Sequence, residues 1–208
     1  MNLPADALCT PLAVNSTAQT RPQTHVHEQR AFHDMLTGLP NRDRFETRLR
    51  DTLALARMDR VSAAIMFIDL DRFRNLNDRY GHAAGDAVLK AVAARLQRCV
   101  RADDLVARVG GDEFALLLLN LESTSAATRL AAQIEESLQL PILVGSGSSG
   151  TESRGTESIS SEFVQVSAAV AVAHVPEDGT DMLTLLRHAD AEMVRIKGQR
   201  TELTPAPA

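Results

Sequence analysis

Two acidic residues that lie far apart in the sequence each stand beside an apolar stretch. Asp69 is near the end of AAIMFIDL, residues 63–70, and Asp112 lies inside RVGGDEFALLLL, residues 108–119. If these stretches pair in one sheet, both carboxylates reach the same end of it. Two carboxylates in that position suit Mg²⁺, which takes one or two protein oxygens and completes its coordination with water and phosphate. Taken alone, an acid at a strand end is also commonly a solvent-exposed residue that marks where the strand ends.

The glycine pair before Asp112 and Glu113 gives a second chemical signal. Gly110 and Gly111 lack Cβ atoms where the backbone turns sharply or approaches a ligand, and their N–H groups can face oxygen anions. A hairpin turn accounts for one or two glycines, but it does not require Asp-Glu directly after them. The spacing leaves two interpretations open: a plain turn, and a turn that contacts a charged ligand.

Apolar patterning predicts the elements that position these residues. The run at 63–70 fits a central strand covered on both faces, VARV and EFALLLL fit two strands around the glycines, and 163–175 fits a further strand. Helical spacing predicts four helices, which contain Phe45 to Ala56, Ala83 to Val100, Leu130 to Leu138 and Met182 to Ile196. This order predicts an α/β domain whose helices cover the faces of a sheet.

Composition indicates one well-cored domain. The chain has 208 residues, 44% of them hydrophobic and only 3% aromatic, with no Trp, which favours an aliphatic core of helices packed on a sheet. Polar, Pro-rich or Gly/Ser-rich segments set the boundaries. We expect a disordered arm or linker at 1–30, the domain at 31–200 with a flexible inserted loop at 145–162, and a disordered tail at 201–208.

Charge and hydropathy exclude several classes of protein. A net charge of -5 disfavours a nucleic acid polymer as partner, although a small anionic ligand held by local groups is compatible with it. Apolar runs stay well below the roughly 18 residues that a membrane segment needs. The two cysteines, Cys9 and Cys99, have no metal-ligand spacing and suit a reducing compartment. We therefore expect a cytoplasmic protein.

Three motifs in order resemble the GGDEF domain of diguanylate cyclases: HDMLTGLPNR, FIDLDRFRNLNDRYGHAAGD and RVGGDEF. The resemblance runs from about His33 to Lys197. It implies a central, mostly antiparallel sheet flanked by helices, like the palm of nucleotidyl cyclases and polymerases. It also implies that two GTP molecules, one on each domain of a homodimer, condense to cyclic di-GMP and two pyrophosphates.

The resemblance assigns a metal site. Asp69, the backbone carbonyl of Leu70 and Asp112 match the ligands of Mg²⁺, with two ions per GTP site and Mn²⁺ as an alternative. Asp112 also matches the residue credited with helping to deprotonate the attacking 3′-hydroxyl. Glu113 matches a residue that supports metal and substrate.

The resemblance also assigns substrate contacts. Asn77 and Asp86 match the residues that read the guanine edge, and His82 matches a further contact. A carboxylate with an amide suits the N1–H and N2–H₂ donors and the O6 acceptor of guanine. Read without the family, Asn77 is a helix-end amide and Asp86 a charge on a helix dipole.

Further substrate contacts follow the family pattern less closely. Lys197 matches the phosphate-facing lysine, Arg74 stands where the family usually has lysine, and Gly110 with Gly111 match the turn over the nucleotide. Arg200 lies one position before the arginine that usually follows the lysine. The usual arginine position itself holds Thr201.

Arg101 and Asp104 form an Arg-x-x-Asp pair shortly before the glycines. By itself the pair is a solvated ion pair, worth under about 1 kcal/mol. In the resembling family this motif binds product dimers and inhibits the enzyme, a task that suits the planar fork of arginine. Further upstream, we expect an ion pair between Asp34 and Arg42 to fix the start of the first helix.

Departures near the C-terminus keep a second function open. Val194 and Ile196 replace the usual Tyr and Ala, and Ser167-Ala-Ala replaces a usual Ser-Ile-Gly. A degenerate module that binds GTP or cyclic di-GMP and regulates a partner is therefore the alternative to an active cyclase. A scaffold dimer without ligand is a third hypothesis.

Overall fold

The computed structural model describes residues 32–58, 62–145 and 161–203, which contain both helices and strands. The helices are α1 (Arg42–Ala56), α2 (Phe73–Tyr80), α3 (His82–Cys99), α4 (Thr124–Leu138) and α5 (Met182–Leu203). The strands are β1 (Ala63–Leu70), β2 (Leu105–Arg108), β3 (Glu113–Leu119), β4 (Ile142–Gly145), β5 (Ser161–Val164) and β6 (Ala168–Val175). Within these ranges, every helix is too short or too polar to cross a bilayer.

β1 is a central strand of a four-stranded sheet with the order β2-β3-β1-β6, in which neighbouring strands are antiparallel. Its side chains alternate between the two faces, as the pleat of a strand requires. Met66 and Ile68 lie in the core that α3 and α4 cover, whereas Ala63 and Ile65 lie in the core that α1 and α5 cover. The predicted α/β class, an antiparallel sheet flanked by helices, is confirmed.

The prediction of one strand at 163–175 is wrong, because the chain forms two strands that belong to different sheets. β5 pairs with β4 in a two-stranded sheet, in which Gly145 lies opposite Ser161, while β6 pairs with β1. An apolar run does not reveal this change of partner, since pairing depends on segments distant in sequence. The two ends of the loop predicted at 145–162 therefore belong to strands, because β4 includes Gly145 and β5 begins at Ser161. Residues 146–160 lie outside the described residues.

α2 is a helix that the apolar pattern does not predict. Only Phe73 of its eight residues is buried, so the segment lacks the apolar stripe by which helices are recognised. At the other end of the domain, α5 continues to Leu203, and the first residues of the predicted tail at 201–208 are therefore helical. The predicted arm at 1–30 and residues 204–208 lie outside the described residues.

Candidate active site

The end of β1 meets the glycine hairpin, as the sequence predicts. Asp69 lies opposite Glu113 in the antiparallel register, and the N–H of Leu70 donates to the carbonyl of Asp112 at 3.2 Å. The register therefore brings Asp69 and Asp112 to the same end of the sheet. Lys197, on α5, reaches this end too, with Nζ 2.7 Å from Asp69 Oδ1. The positive charge of Lys197 therefore offsets the negative charge of Asp69.

The two glycines of the hairpin have different surroundings. The N–H groups of Val109 and Gly110 donate to the carbonyl of Glu113 at 3.0 and 3.2 Å, which closes the turn. A Cβ on Gly110 would overlap the carboxylate of Glu113, whereas a Cβ on Gly111 would meet nothing within 4 Å. Gly110 is therefore explained by packing within the chain. Gly111 lies beside open space, where a ligand could approach its backbone.

Arg108 ties the hairpin to the segment before α1. Its Nη1 donates to both carboxylate oxygens of Asp34 at 3.0 Å, and its Nε and Nη2 donate to the carbonyl of Gly111 at 3.2 and 2.7 Å. Its side chain is only 13% exposed. Sequence reasoning missed this residue, because the contact with Asp34 spans 74 positions.

The expected ion pair between Asp34 and Arg42 is wrong. Arg42 instead donates from Nε to the carbonyl of Val109 at 2.9 Å, and its Nη2 lies 3.8 Å from Glu113 Oε2. Asp34 also accepts from the N–H and hydroxyl of Thr37, at 2.8 and 2.6 Å. Burial raises the pKa of Asp34, but the hydrogen bonds from Thr37 and Arg108 outweigh this effect and hold the pKa below its usual value.

A cavity of about 560 Å³ lies between α2, α3 and the hairpin. Six of the residues predicted to bind substrate or metal line it: Arg74, Asn77, His82, Asp86, Gly111 and Asp112. The fold thus gathers residues that span 38 positions of sequence around one opening. Asp86 lies beyond the first turn of α3, where a helix dipole has little effect, which weakens its purely structural interpretation.

Asn77 packs its side-chain amide directly against Gly85 of α3. A Cβ on Gly85 would overlap Oδ1 of Asn77, so only glycine leaves room for this contact. Oδ1 is buried, and no protein group in the described part of the chain donates a hydrogen bond to it. Gly85 is a second residue that sequence reasoning missed, although a glycine inside a helical pattern is a usable signal of close packing.

A second cavity, of about 1020 Å³, lies on the other side of α2. Asp69 and Lys197 line it, together with Asp71, Arg72 and Arg200. The predicted site residues are therefore divided between two openings, with Asp112 in the first and Asp69 in the second. The hydrogen bond from Leu70 to Asp112 connects them through the backbone. Leu70, Gly110 and Glu113 line neither opening.

The donor set at the sheet end fits a hard cation. Asp69, Asp112 and the Leu70 carbonyl offer oxygen atoms alone, which Mg²⁺ and Mn²⁺ prefer. Among the described residues, no group of three or more His, Cys, Asp or Glu side chains could hold a metal. Two carboxylates therefore suit an ion that takes its other ligands from water and phosphate, rather than an ion enclosed by protein.

Arg101 and Asp104 line neither cavity and do not form the side-chain ion pair expected from sequence. Asp104 accepts instead from two backbone N–H groups, that of Arg101 at 3.0 Å and that of Leu119 at 3.1 Å. The first bond closes the turn between α3 and β2, and the second ties this turn to the end of β3, because a short carboxylate competes well for nearby N–H groups. The side chain of Arg101 is left exposed to solvent.

Comparison with known proteins identifies the family. The profile described as "Diguanylate cyclase, GGDEF domain" matches residues 31–202. The chain belongs to this family. The fold has the palm-like form that the resemblance implied.

Two curated relatives differ in the activity that they are named for. Over 169 residues the chain is 44% identical to diguanylate cyclase TpbB of Pseudomonas aeruginosa, a match that covers 81% of this chain and 36% of TpbB. Over 178 residues it is 34% identical to cyclic di-GMP phosphodiesterase PdeR of Escherichia coli, covering 83% of this chain and 24% of PdeR. The chain thus spans about a third or less of the length of these relatives.

A solved structure of TpbB from Pseudomonas aeruginosa that comprises only the GGDEF domain is similar to this chain. The TM-score is 0.70 at 44% sequence identity, and the match covers 80% of this chain and 89% of that one. The similarity therefore extends over nearly the whole isolated domain.

Proposed function

We propose that this GGDEF domain is a diguanylate cyclase that condenses two GTP molecules into cyclic di-GMP and two pyrophosphates. The register of β1 against β3, which sets Asp69 opposite Glu113 beside the hairpin, is the observation that carries the proposal. Membership of the family and the identity to TpbB support the same reaction. Phosphoryl transfer depends mainly on positioning and charge neutralisation, which carboxylates, backbone N–H groups and a few cations can supply.

Asp69, Asp112 and the carbonyl of Leu70 would hold Mg²⁺, two ions per GTP site, with Mn²⁺ as an alternative. When bound, the ions supply Lewis acidity and offset the negative charge of the phosphates. Asp112 helps to take the proton of the attacking 3′-hydroxyl, and Glu113 supports the metal and the substrate. Lys197 exchanges part of its contact with Asp69 for phosphate when the nucleotide binds.

The first cavity would receive the guanine base. The amide of Asn77 and the carboxylate of Asp86 offer a donor for O6 and an acceptor for N1–H and N2–H₂. His82, at the start of α3, adds a contact at the rim, and Arg74 adds positive charge towards the phosphates. The open space beside Gly111 lets the backbone of the hairpin approach the nucleotide.

Each domain holds one GTP in this proposal, so a homodimer with facing sites is required for the reaction. The specific activity should therefore rise with protein concentration until the dimer is saturated. Arg101, whose side chain is exposed, and Asp104 would form the site at which cyclic di-GMP binds as product and inhibitor. The cytoplasmic location, and the absence of a nucleic acid polymer as partner, stay predictions.

Chromatography of the products formed from GTP and Mg²⁺ tests the proposal. Purified wild-type protein should form cyclic di-GMP, and Asp112→Asn should lose product formation by about a hundredfold or more, because it loses a metal carboxylate. Asp51→Asn, an exposed substitution on α1 that lies in neither cavity, is the control and should keep full activity. Wild-type protein that forms no product at high concentration contradicts the proposal, and an active Asp112→Asn contradicts the metal site.

The alternative function is a degenerate module that binds GTP or cyclic di-GMP without turnover. Two observations favour it: the phosphodiesterase PdeR has a similar segment, and Arg200 is paired with two carboxylates although it lines the second cavity. Calorimetry distinguishes the two functions, since a regulatory module binds nucleotide while chromatography detects no cyclic di-GMP. If neither nucleotide binds, both functions are excluded and a scaffold is left.

A further inference from the structure

Arg200 is bound by two carboxylates. Its Nη1 lies 2.8 Å from Asp71 Oδ2 and 2.7 Å from the carbonyl oxygen of Ala168, and its Nη2 lies 2.7 Å from Glu135 Oε1. The side chain of Arg200 is 34% exposed, so these contacts are partly shielded from water. A phosphate group would have to displace them and leave two carboxylates without their cation. Arg200 is therefore a poor phosphate ligand in this arrangement.

Asp71 is anchored through both its backbone and its side chain. Its N–H donates to the carbonyl of Ser167 at 2.8 Å, and its Oδ2 accepts from the hydroxyl of Ser167 at 2.7 Å. The peptide group that carries this N–H also carries the carbonyl oxygen of Leu70. Because a trans peptide is planar and points its N–H and C=O in opposite directions, the bond to Ser167 sets the direction of the Leu70 oxygen.

The turn that follows Asp71 depends on these anchors. Arg72 has φ 55° and ψ 29°, in the left-handed region that non-glycine residues rarely adopt. Such a conformation persists where the surrounding contacts fix it, and it is common at functional sites. The contacts of Asp71 lie directly before it, between the end of β1 and the start of α2.

We propose that Arg200 is a positioning residue for the metal site and does not bind phosphate. Through Asp71 it fixes the peptide after Leu70, and so it holds the Leu70 carbonyl where a metal ion can use it. Lys197, three residues earlier on α5, keeps the phosphate role. The inference rests on the proposed function, because it takes Leu70 as a metal ligand.

Two binding measurements separate positioning from phosphate contact. Mn²⁺ affinity is followed by electron paramagnetic resonance with a non-hydrolysable GTP analogue present, and affinity for the analogue alone is followed by calorimetry without divalent metal. Arg200→Met should weaken Mn²⁺ binding about tenfold, as loss of a residue that orients a metal ligand commonly does. The metal-free affinity for the analogue should change less than about twofold, since no phosphate contact is lost.

Companion variants test the route through Asp71. Asp71→Asn should weaken Mn²⁺ binding to the same extent. The double variant with Arg200→Met should lose no more affinity than either single variant, because both substitutions break the same contact between Arg200 and Asp71. Arg200→Lys keeps the charge and should recover part of the affinity. Arg195→Met, on the same helix with its guanidinium on Glu192, is the matched control and should leave both affinities unchanged.

Several outcomes would overturn the inference. It fails if Arg200→Met weakens metal-free binding of the analogue as strongly as Lys197→Met, or if it leaves Mn²⁺ affinity unchanged. Urea unfolding shows whether each variant folds, and if Arg200→Met does not, Arg200→Lys and Asp71→Asn carry the same comparison. Wild-type protein that binds neither Mn²⁺ nor the analogue refutes the proposed function itself, whereas normal wild-type binding with an unaffected Arg200→Met refutes only the positioning role.

Discussion

Replacing Arg108 with methionine should destabilise the domain, because Arg108 makes four hydrogen bonds through one largely buried guanidinium. Removing one partner of a buried charge pair costs about 3–5 kcal/mol. The pair here is not fully buried, since the side chains of Arg108 and Asp34 are 13% and 23% exposed, and Thr37 still donates to Asp34 in the variant. We therefore expect the free energy of unfolding to fall by about 2–3 kcal/mol at pH 7.

The pH dependence of this loss identifies Asp34 as the partner. Hydrogen bonds hold the pKa of Asp34 below its usual value of 3.8 in the folded protein, so its ionised form contributes stability above that value. This contribution decreases as the pH falls through the lowered pKa of the folded state. The difference in unfolding free energy between wild type and Arg108→Met should therefore be largest near neutral pH and shrink below about pH 4.

Urea denaturation at several pH values, followed by circular dichroism, measures both effects. Asp34→Asn and the double variant complete a mutant cycle, and their coupling should account for much of the loss. Arg195→Met, whose exposed guanidinium contacts a neighbour on its own helix, should leave the urea midpoint unchanged. An Arg108→Met midpoint equal to that of wild type, or a difference that is constant from pH 7 to pH 3, would refute the role assigned to this contact.

Three further predictions concern binding and stability. Gly85→Ala should cut affinity for a GTP analogue by about tenfold in calorimetry, because the new Cβ displaces the amide of Asn77. Its unfolding free energy should change little, since alanine favours the helix by about 1 kcal/mol and offsets the clash. Arg95→Met should lower the unfolding free energy by about 2–3 kcal/mol in urea, because Arg95 donates to three carbonyls, one on the last residue of α4 and two directly after it. Asp104→Ala should lower the urea midpoint even without cyclic di-GMP, because it leaves two N–H groups without their acceptor, whereas Arg101→Ala should not. A stable Asp104→Ala, a stable Arg95→Met or unchanged binding by Gly85→Ala would contradict the corresponding contact.

Much of the main sheet is predictable because its strands coincide with local apolar runs in the sequence. The runs at 63–70 and around the glycines form β1, β2 and β3 where expected. α2 escaped prediction because it lies on the surface between two cavities and buries a single residue, so tertiary contacts rather than an apolar stripe stabilise it. The division of 163–175 escaped for a related reason, since the choice between two sheets depends on strands far away in the chain.

The order of residues is enough to predict the chemistry that this protein can offer: two carboxylates near a glycine turn, an amide and an acid that can hydrogen-bond a nucleobase, and the motifs of the family. It could also indicate that Asp69 and Asp112 share one end of a sheet, provided that the two apolar stretches pair. The partners of the arginines, in contrast, depend on how the chain folds. Arg108 holds Asp34, and Arg200 holds Asp71, across 74 and 129 positions of sequence. A long, flexible side chain takes the carboxylate that folding brings near, and spacing along the chain does not record that choice.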